Sequence, residues 1–373
     1  MGTQTFLADV GSIEQQLRQL WKGEARDLEA GESVCCSRTL NLIVFSSATE
    51  DTERTAELLD PVTVQHPARV ILVSGSRADA GEDLQARVSA SCLISHVGSR
   101  YIGRELIVLN AKATAHDRLA SMIDALLIPG LPTFLWWRDS VARHPAIFQR
   151  LAASAGRVII DSANLQNPVV DFAQVEQIIK LCPDSAISDL AWSRITQWRQ
   201  LTAQFFDGPV QASYFPQLRS IVVEQTTASG GGDRIGAEAI LLAAWLACRL
   251  GCGDEKISRI KSGQGSLVWE LKSKQKSVTI EFRKSPLAFA GIATVQLTAE
   301  GKPPARYIVS KTKDGTGLET KTILEGNDAV RRVVRAGDDS LARWLIQELR
   351  ILGRDEIYEQ AIELVCALAR QTG

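Results

Sequence analysis

TLNLIVFSSATEDTERTAELLDPVTVQHPARVILVSG, residues 39 to 75, decides the fold. Two unbroken apolar runs, TLNLIVFSS (39–47) and ARVILVSG (68–75), bracket the polar segment TEDTERTAELLDPV, which begins at Thr49. Strands that are apolar at nearly every position, rather than at alternate ones, are covered on both faces, as in parallel sheets. The polar segment has the chemistry of a helix start, with Thr49 as cap and acidic residues in the first turn. Strand, helix, strand in this order is a βαβ unit.

Before this unit, Ile13, Leu17, Leu20, Trp21 and Leu28 recur at helical spacing and predict an amphipathic helix. After it, SCLISHV (91–97) and RELIVLNAKA (104–113) flank a Gly-Ser-containing turn and read as an antiparallel addition to the sheet. HDRLASMIDALLI (116–128) is a helix stopped by Pro129-Gly130, LPTFLWW (131–137) a strand, and HPAIFQRLAASAG (144–156) a helix with Gly156 as its terminator. RVIIDSA (157–163) and VDFAQVEQIIKLC (170–182) add one more strand and helix. Residues 1–185 are therefore expected to form an α/β domain with an N-terminal helix and a wound, mostly parallel sheet.

The pattern changes beyond residue 185. SDLAWSRITQWRQLTAQFFD (188–207) predicts one long helix capped by Ser188. RSIVVEQT is a short strand, and SGGGDRIGAEAILLAAWLACRLGCG (229–253) a glycine-rich turn feeding an apolar helix. Five strands follow, GSLVWELKS, SVTIEFRK, ATVQLTAE, ARYIVSKTK and ETKTILEG, with hairpin signals at Glu300-Gly301 and Asp314-Gly315. Helices at about 338–351 and 354–370 close the chain. Residues 186–373 are expected to form an α+β domain with an antiparallel sheet.

Composition narrows the function classes. The 373 residues are 45% hydrophobic and 23% charged with a net charge of −1, the balance of a globular protein that nothing draws to nucleic acid or anionic lipid. No run approaches the roughly 18 apolar residues of a membrane span, and the N-terminus reads as no signal peptide, so a cytoplasmic chain is expected. Seven cysteines without a CxxC pair, and only four histidines, argue against a disulfide framework and against zinc.

Catalytic motifs are missing. SGGGDRIG (229–236) matches neither the P-loop nor GxGxxG and reads as a flexible turn rather than an anion site. No GxSxG occurs. His66, before Pro67, reads as a hydrogen-bonded structural residue. Asp161-Ser162, at a strand's carboxyl end, is either a ligand-binding pair or, on balance, a helix-capping loop. Cys248 and Cys252 share a helix face if the helix continues through Gly251, and Cys35 and Cys36 are adjacent; these four are the redox candidates, against the plainer reading of small buried hydrophobes.

Tryptophan is the unusual residue. Eight are present, and several adjoin arginine: Trp137-Arg138, Trp198-Arg199 and Arg343-Trp344. Both types are enriched at interface hot spots. In GLPTFLWWRD (130–139), strand neighbours point to opposite faces, so core packing is expected to account for only one of Trp136 and Trp137. Trp136, Trp137, Arg138 and Asp139 are therefore the candidate partner contact.

LNLIVF, HPARVILV, LPTFLWWRD, DLAWSRITQWRQL and ELRILGRDEIYEQAI come in this order between about residues 35 and 365. Together they resemble the glucose-6-phosphate dehydrogenase assembly protein family, OpcA. The resemblance implies no enzyme and no cofactor. It implies a protein partner that assembles or allosterically activates glucose-6-phosphate dehydrogenase, the entry enzyme of the oxidative pentose phosphate pathway and so of NADPH production, with a link to thioredoxin-dependent redox control. The competing reading is a sugar-phosphate or nucleotide-binding α/β enzyme, supported by the wound sheet, Asp161-Ser162 and the glycines at 230–232.

Overall fold

The computed structural model describes residues 6–24, 33–35, 38–46, 52–75, 84–94, 100–112, 115–226, 234–252, 257–263, 266–272, 277–287, 290–324, 327–337 and 339–371. Two compact units result. The first holds Met1–Ile160, Ile178–Ser188 and Ser340–Arg354; the second holds Asp161–Gln177, Asp189–Asp339 and Asp355–Gly373.

The first unit is built on strands β1 (Phe6–Leu7), β2 (Ser33–Cys35), β3 (Leu40–Ser46), β4 (Ala68–Gly75), β5 (Leu84–Ile94), β6 (Arg100–Ala111), β7 (Thr133–Trp137), β8 (Arg157–Ile160) and β9 (Ala186–Asp189). Their spatial order is β1-β5-β6-β4-β3-β7-β8-β9, with β2 beside β6. The pairs β3–β4, β4–β6, β3–β7 and β7–β8 are parallel, and β5 joins β6 antiparallel. Strands β6, β4, β3, β7, β8 and β9 thus stand in the 3-2-1-4-5-6 order of a doubly wound sheet. Every residue of β3 is buried, as its unbroken apolar run requires.

Helices α1 (Val10–Glu24), α2 (Thr52–Gln65), α3 (His116–Leu126) and α4 (Pro145–Ala153) pack around this sheet. One buried carboxylate organises the N-terminal side. Glu105 of β6 accepts from Arg69 Nε at 2.8 Å and Trp21 Nε1 at 2.7 Å, and pairs with Arg38. Burial alone would raise its pKa; the charge and hydrogen bonds of Arg69 and its neighbours bring it below the usual range, so the group is a carboxylate. Segment 340–354 is fastened to the same unit. Arg157 pairs with Ser188 and with the carbonyl of Gly353, and His66 Nε2 donates to Ile346 O at 3.0 Å. His66 is the structural residue expected.

In the second unit, α5 (Pro168–Leu181), which runs on into the first unit, precedes α6 (Leu190–Arg194), α7 (Thr196–Gln204) and α8 (Pro209–Ala212). Strands β10 (Leu218–Thr226), β11 (Ile257–Gly263), β12 (Ser266–Lys272), β13 (Ser277–Lys284), β14 (Gly291–Ala299), β15 (Ala305–Lys311), β16 (Gly317–Leu324) and β17 (Asn327–Arg335) form a sheet in the order β11-β12-β13-β10-β14-β15-β16-β17. All its pairs are antiparallel except β10–β13. The apolar helix α9 (Ala237–Arg249) packs on β10, β13 and β14, and α11 (Glu356–Arg370) packs on α9. Helix α10 (Leu341–Glu348) belongs to the first unit and lies against α2.

The α/β class, parallel first sheet and antiparallel second sheet agree with the sequence. Four local expectations change. Residues 188–207 are not one helix: Ser188 lies in β9, Asp189 caps α6, and Ile195 separates α6 from α7. Strands β11 and β17 are additions that apolar patterning did not reveal. Gly156 keeps an ordinary φ and donates to Thr133 O. Finally, the helix bearing Cys248 does not continue through Gly251. Gly251 has φ of +72°, its N–H donates to Cys248 O, and Cys252 N donates to Ala247 O, the paired bonds of a Schellman terminus. The shared face assumed for Cys248 and Cys252 is therefore broken.

A Cβ at Gly251 meets no atom within 4 Å, so only backbone conformation opposes substitution there. Gly251→Ala is expected to lower stability by about 1–2 kcal/mol, read from the urea unfolding midpoint; an unchanged midpoint would contradict the left-handed terminus.

Candidate functional site

Open α/β sheets bind ligands outside the carboxyl ends of their strands, where the chain reverses winding direction. Here that point lies between β3 and β7. Phe45 near the end of β3 is in register with Trp137 at the end of β7. Their rings stack with centroids 4.0 Å apart and planes 5° from parallel. Phe148 of α4 meets the Trp137 ring edge-on at 5.0 Å, and His144 meets Phe45 at 5.5 Å. Trp136 turns to the opposite face with Arg138, whose guanidinium lies 4.8 Å over the indole and pairs with Thr55 of α2.

Both indoles are core residues, Trp136 at 1% and Trp137 at 2% exposure. The expectation that one of them faces outward does not hold. Neighbouring strand residues do point to opposite faces, but in this sheet α2 covers one face and α4 the other. Asp139 is tied down as well: it accepts from Ser140 N at 2.7 Å and Arg143 Nη1 at 3.4 Å, with His144 Nε2 at 3.4 Å. Nearby, His116 has its pKa lowered by burial and by His144.

The second unit holds a separate polar cluster, of which the sequence singled out only Asp161-Ser162. Asp189, 1% exposed, accepts at Oδ1 from Ser162 N (2.9 Å) and Ala191 N (3.0 Å), and at Oδ2 from Tyr358 Oη (2.9 Å). Asp161 caps the short 3₁₀ turn at 162–164 and forms a two-pronged pair with Arg194 at 2.7 Å on each prong. Arg194 also reaches Glu238 at 3.7 Å. Asp161 is thus a cap, as the capping reading expected, and Ser162 is engaged through its backbone N–H. Burial, then the charge of Asp161, push the Asp189 carboxyl up to about 6 against the hydrogen bonds that favour its charge. Burial likewise raises Glu238, with Arg194 opposing.

Two strings that carry the family resemblance meet here. Asp189 and Trp192 come from DLAWSRI; Asp355 and Tyr358 come from GRDEIYEQA. Trp192 Nε1 donates to Asp355 Oδ2 at 2.8 Å while Asp355 caps α11. The signal available in sequence was local: Asp189 and Asp355 both stand directly before helices.

Of the redox candidates, Cys252 is buried and the Cys248 thiol donates to Gln360 O at 3.5 Å. Cys35 lies in β2, with its side chain outside the described residues, as is all of Cys36. Leu28, Thr49 and the glycines at 230–232 fall outside them too. A cavity of about 350 Å³ lies in the second unit between loop 163–166 and residues 234–237. Among the described residues, no cluster of three or more His, Cys, Asp or Glu could hold a metal, and no helix is long and apolar enough to cross a membrane.

By fold, the chain belongs to the class of doubly wound α/β proteins followed by a large, mostly antiparallel sheet. A levoglucosan dehydrogenase solved with NADH and L-sorbose shares that fold, at 9% identity and a TM-score of 0.50 over 90% of this chain and 98% of that one. More specifically, the chain belongs to the OpcA family. Residues 60–177 match the family's glucose-6-phosphate dehydrogenase subunit N-terminal domain, and residues 185–362 match the C-terminal domain. Proteins bearing the name OxPP cycle protein OpcA are 28% identical in Nostoc punctiforme, over 82% of this chain, and 26% identical in a Synechocystis species, over 83%. The match covers 66% and 65% of those relatives' own lengths.

Two outcomes follow. Trp137→Ala removes a stacked core ring and is expected to cost about 3–5 kcal/mol of stability by urea unfolding; a loss under about 1 kcal/mol would place the ring at the surface. Asp189 holds its proton to a higher pH when folded than when unfolded. Between pH 3.8 and about 6 the folded chain keeps a proton that the unfolded chain has released. The group's stabilising contribution is therefore full below 3.8 and is lost as pH rises through about 6. Asp189→Asn, which does not titrate, is expected to flatten that fall in urea titrations across the interval; equal slopes would count against it.

Proposed function

We propose that this chain is a non-catalytic partner of glucose-6-phosphate dehydrogenase, favouring the enzyme's active oligomer, raising its affinity for substrate and so supporting NADPH production in the oxidative pentose phosphate pathway. The observation that carries this reading is the Phe45–Trp137 stack in the crevice where a doubly wound sheet takes a dinucleotide. Such a site needs a glycine-rich turn so that backbone N–H groups can approach the pyrophosphate. The segment after β3 reads SATED (47–51), with no glycine and two carboxylates that repel phosphate. The family's description supplies the partner enzyme.

The mechanism is linkage. A protein that binds the active state of the enzyme more tightly than the inactive one shifts the population toward it. No residue of this chain needs to touch glucose 6-phosphate. A coupling of about 1–3 kcal/mol changes substrate affinity about 5–150-fold.

The test is co-purification with glucose-6-phosphate dehydrogenase from the same organism, then titration of glucose 6-phosphate with and without this chain. A stable complex with a lowered KM is expected. No complex and no kinetic change removes the reading. Saturable quenching of the chain's tryptophan fluorescence by NADP⁺ alone would favour the nucleotide-binding enzyme instead.

A further inference from the structure

Strand β17 closes one edge of the second sheet, and β16 is its ladder neighbour. The bond from Ala336 N to Thr316 O sets the alternation of the antiparallel pair. Residues 332 and 334 turn their backbone groups toward β16; residues 331, 333 and 335 turn theirs outward. Gln197 Nε2 takes the outward carbonyl of Arg335 at 3.1 Å. Among the described residues, no group takes the N–H and C=O of Arg331 and Val333.

The side chains on this edge are of two kinds. Val330 is 65% exposed and Val333 59%, one on each face of the sheet. Arg331, Arg332 and Arg335 are exposed as well. Arg331 pairs with Glu319 of β16, whereas Arg332 and Arg335 form no ion pair among the described residues. Charges on an edge strand guard against unwanted pairing, but guarding alone leaves no reason for two bare valines beside the arginines. A second copy is a poor occupant, because β17 against β17 would bring two sets of three arginines together. An added strand rich in Asp and Glu meets every requirement: it bonds the outward backbone groups, covers both valines and neutralises the spare guanidinium groups.

We propose that β17 is a docking edge for an acidic, extended segment of the partner protein, which adds a ninth strand to the second sheet. The proposal rests on the enzyme partnership above, and its test uses glucose-6-phosphate dehydrogenase from the same organism as the probe. Val333→Pro deletes an outward N–H while sparing the ladder to β16. R332E/R335E reverses the two spare charges. Each variant is expected to keep the wild-type Tm and to raise the Kd for the enzyme about tenfold or more. R332K/R335K should bind within about threefold of wild type, because the charge is kept.

Folded variants that bind as tightly as wild type would overturn the docking edge while leaving the partnership standing. A wild-type chain that does not bind the enzyme overturns the partnership, and with it the occupant named here. If sedimentation shows a wild-type dimer that Val333→Pro converts to monomer, the occupant is a second copy and the acidic segment is wrong.

Discussion

A parallel sheet has to bury both of its faces, and most of the first unit follows from that constraint. The continuous apolar runs of β3 and β4 satisfy it, and so do the helices packed around them. The same constraint disposes of the two adjacent tryptophans. On a sheet with one wet face, one ring would be left at the surface. Here Trp136 and Arg138 meet α2 while Trp137 meets α4, so both rings are core. At the carboxyl ends of β3 and β7 the Phe45 and Trp137 rings stack on each other.

The second unit depends on a different economy. Its sheet alternates buried and half-exposed residues along β13 and β14, the signature of a sheet with one face on the core. Polar groups still enter the interior where segments distant in sequence must be aligned. Asp189 binds the start of α6, the turn at 162 and Tyr358 of α11 through one carboxylate. Glu105 does comparable work in the first unit with Arg69, Arg38 and Trp21. The difference lies in their charge partners. Glu105 faces arginines and stays ionised, whereas Asp189 has the carboxylate of Asp161 nearby and its proton is held more tightly.

Legibility in the sequence followed the strength of local pattern. The βαβ unit, the strand ending in Trp137 and the helices at both ends of the chain have strong local patterns, and within the described residues they form the elements read. Strand β17 reads as NDAVRRVVR, where consecutive arginines hide any alternation, because an edge strand needs only one neighbour and leaves its side chains wet. The 188–207 segment has helical propensity throughout, yet pairing with β8 draws Ala186–Asp189 into a strand and Asp189 then restarts the helix. The Asp189–Tyr358 contact spans 169 positions, beyond the reach of any local rule. The family was legible through whole strings in order rather than through any single motif.

The division of the chain into units has a bearing on how the protein is made. The chain leaves the first unit after Ile160, returns for Ile178–Ser188, leaves again, returns for Ser340–Arg354 and ends in the second. During synthesis, then, the first unit lacks its last part until residue 354 has emerged, and the second until Tyr358 and the rest of α11 have emerged. The first waits for the stretch that supplies Ile346 to His66 and Gly353 to Arg157, and the second waits for Tyr358. Such a chain cannot fold one bead at a time from its N-terminus. A cut at any point between residues 160 and 355 leaves at least one unit in two covalently separate pieces.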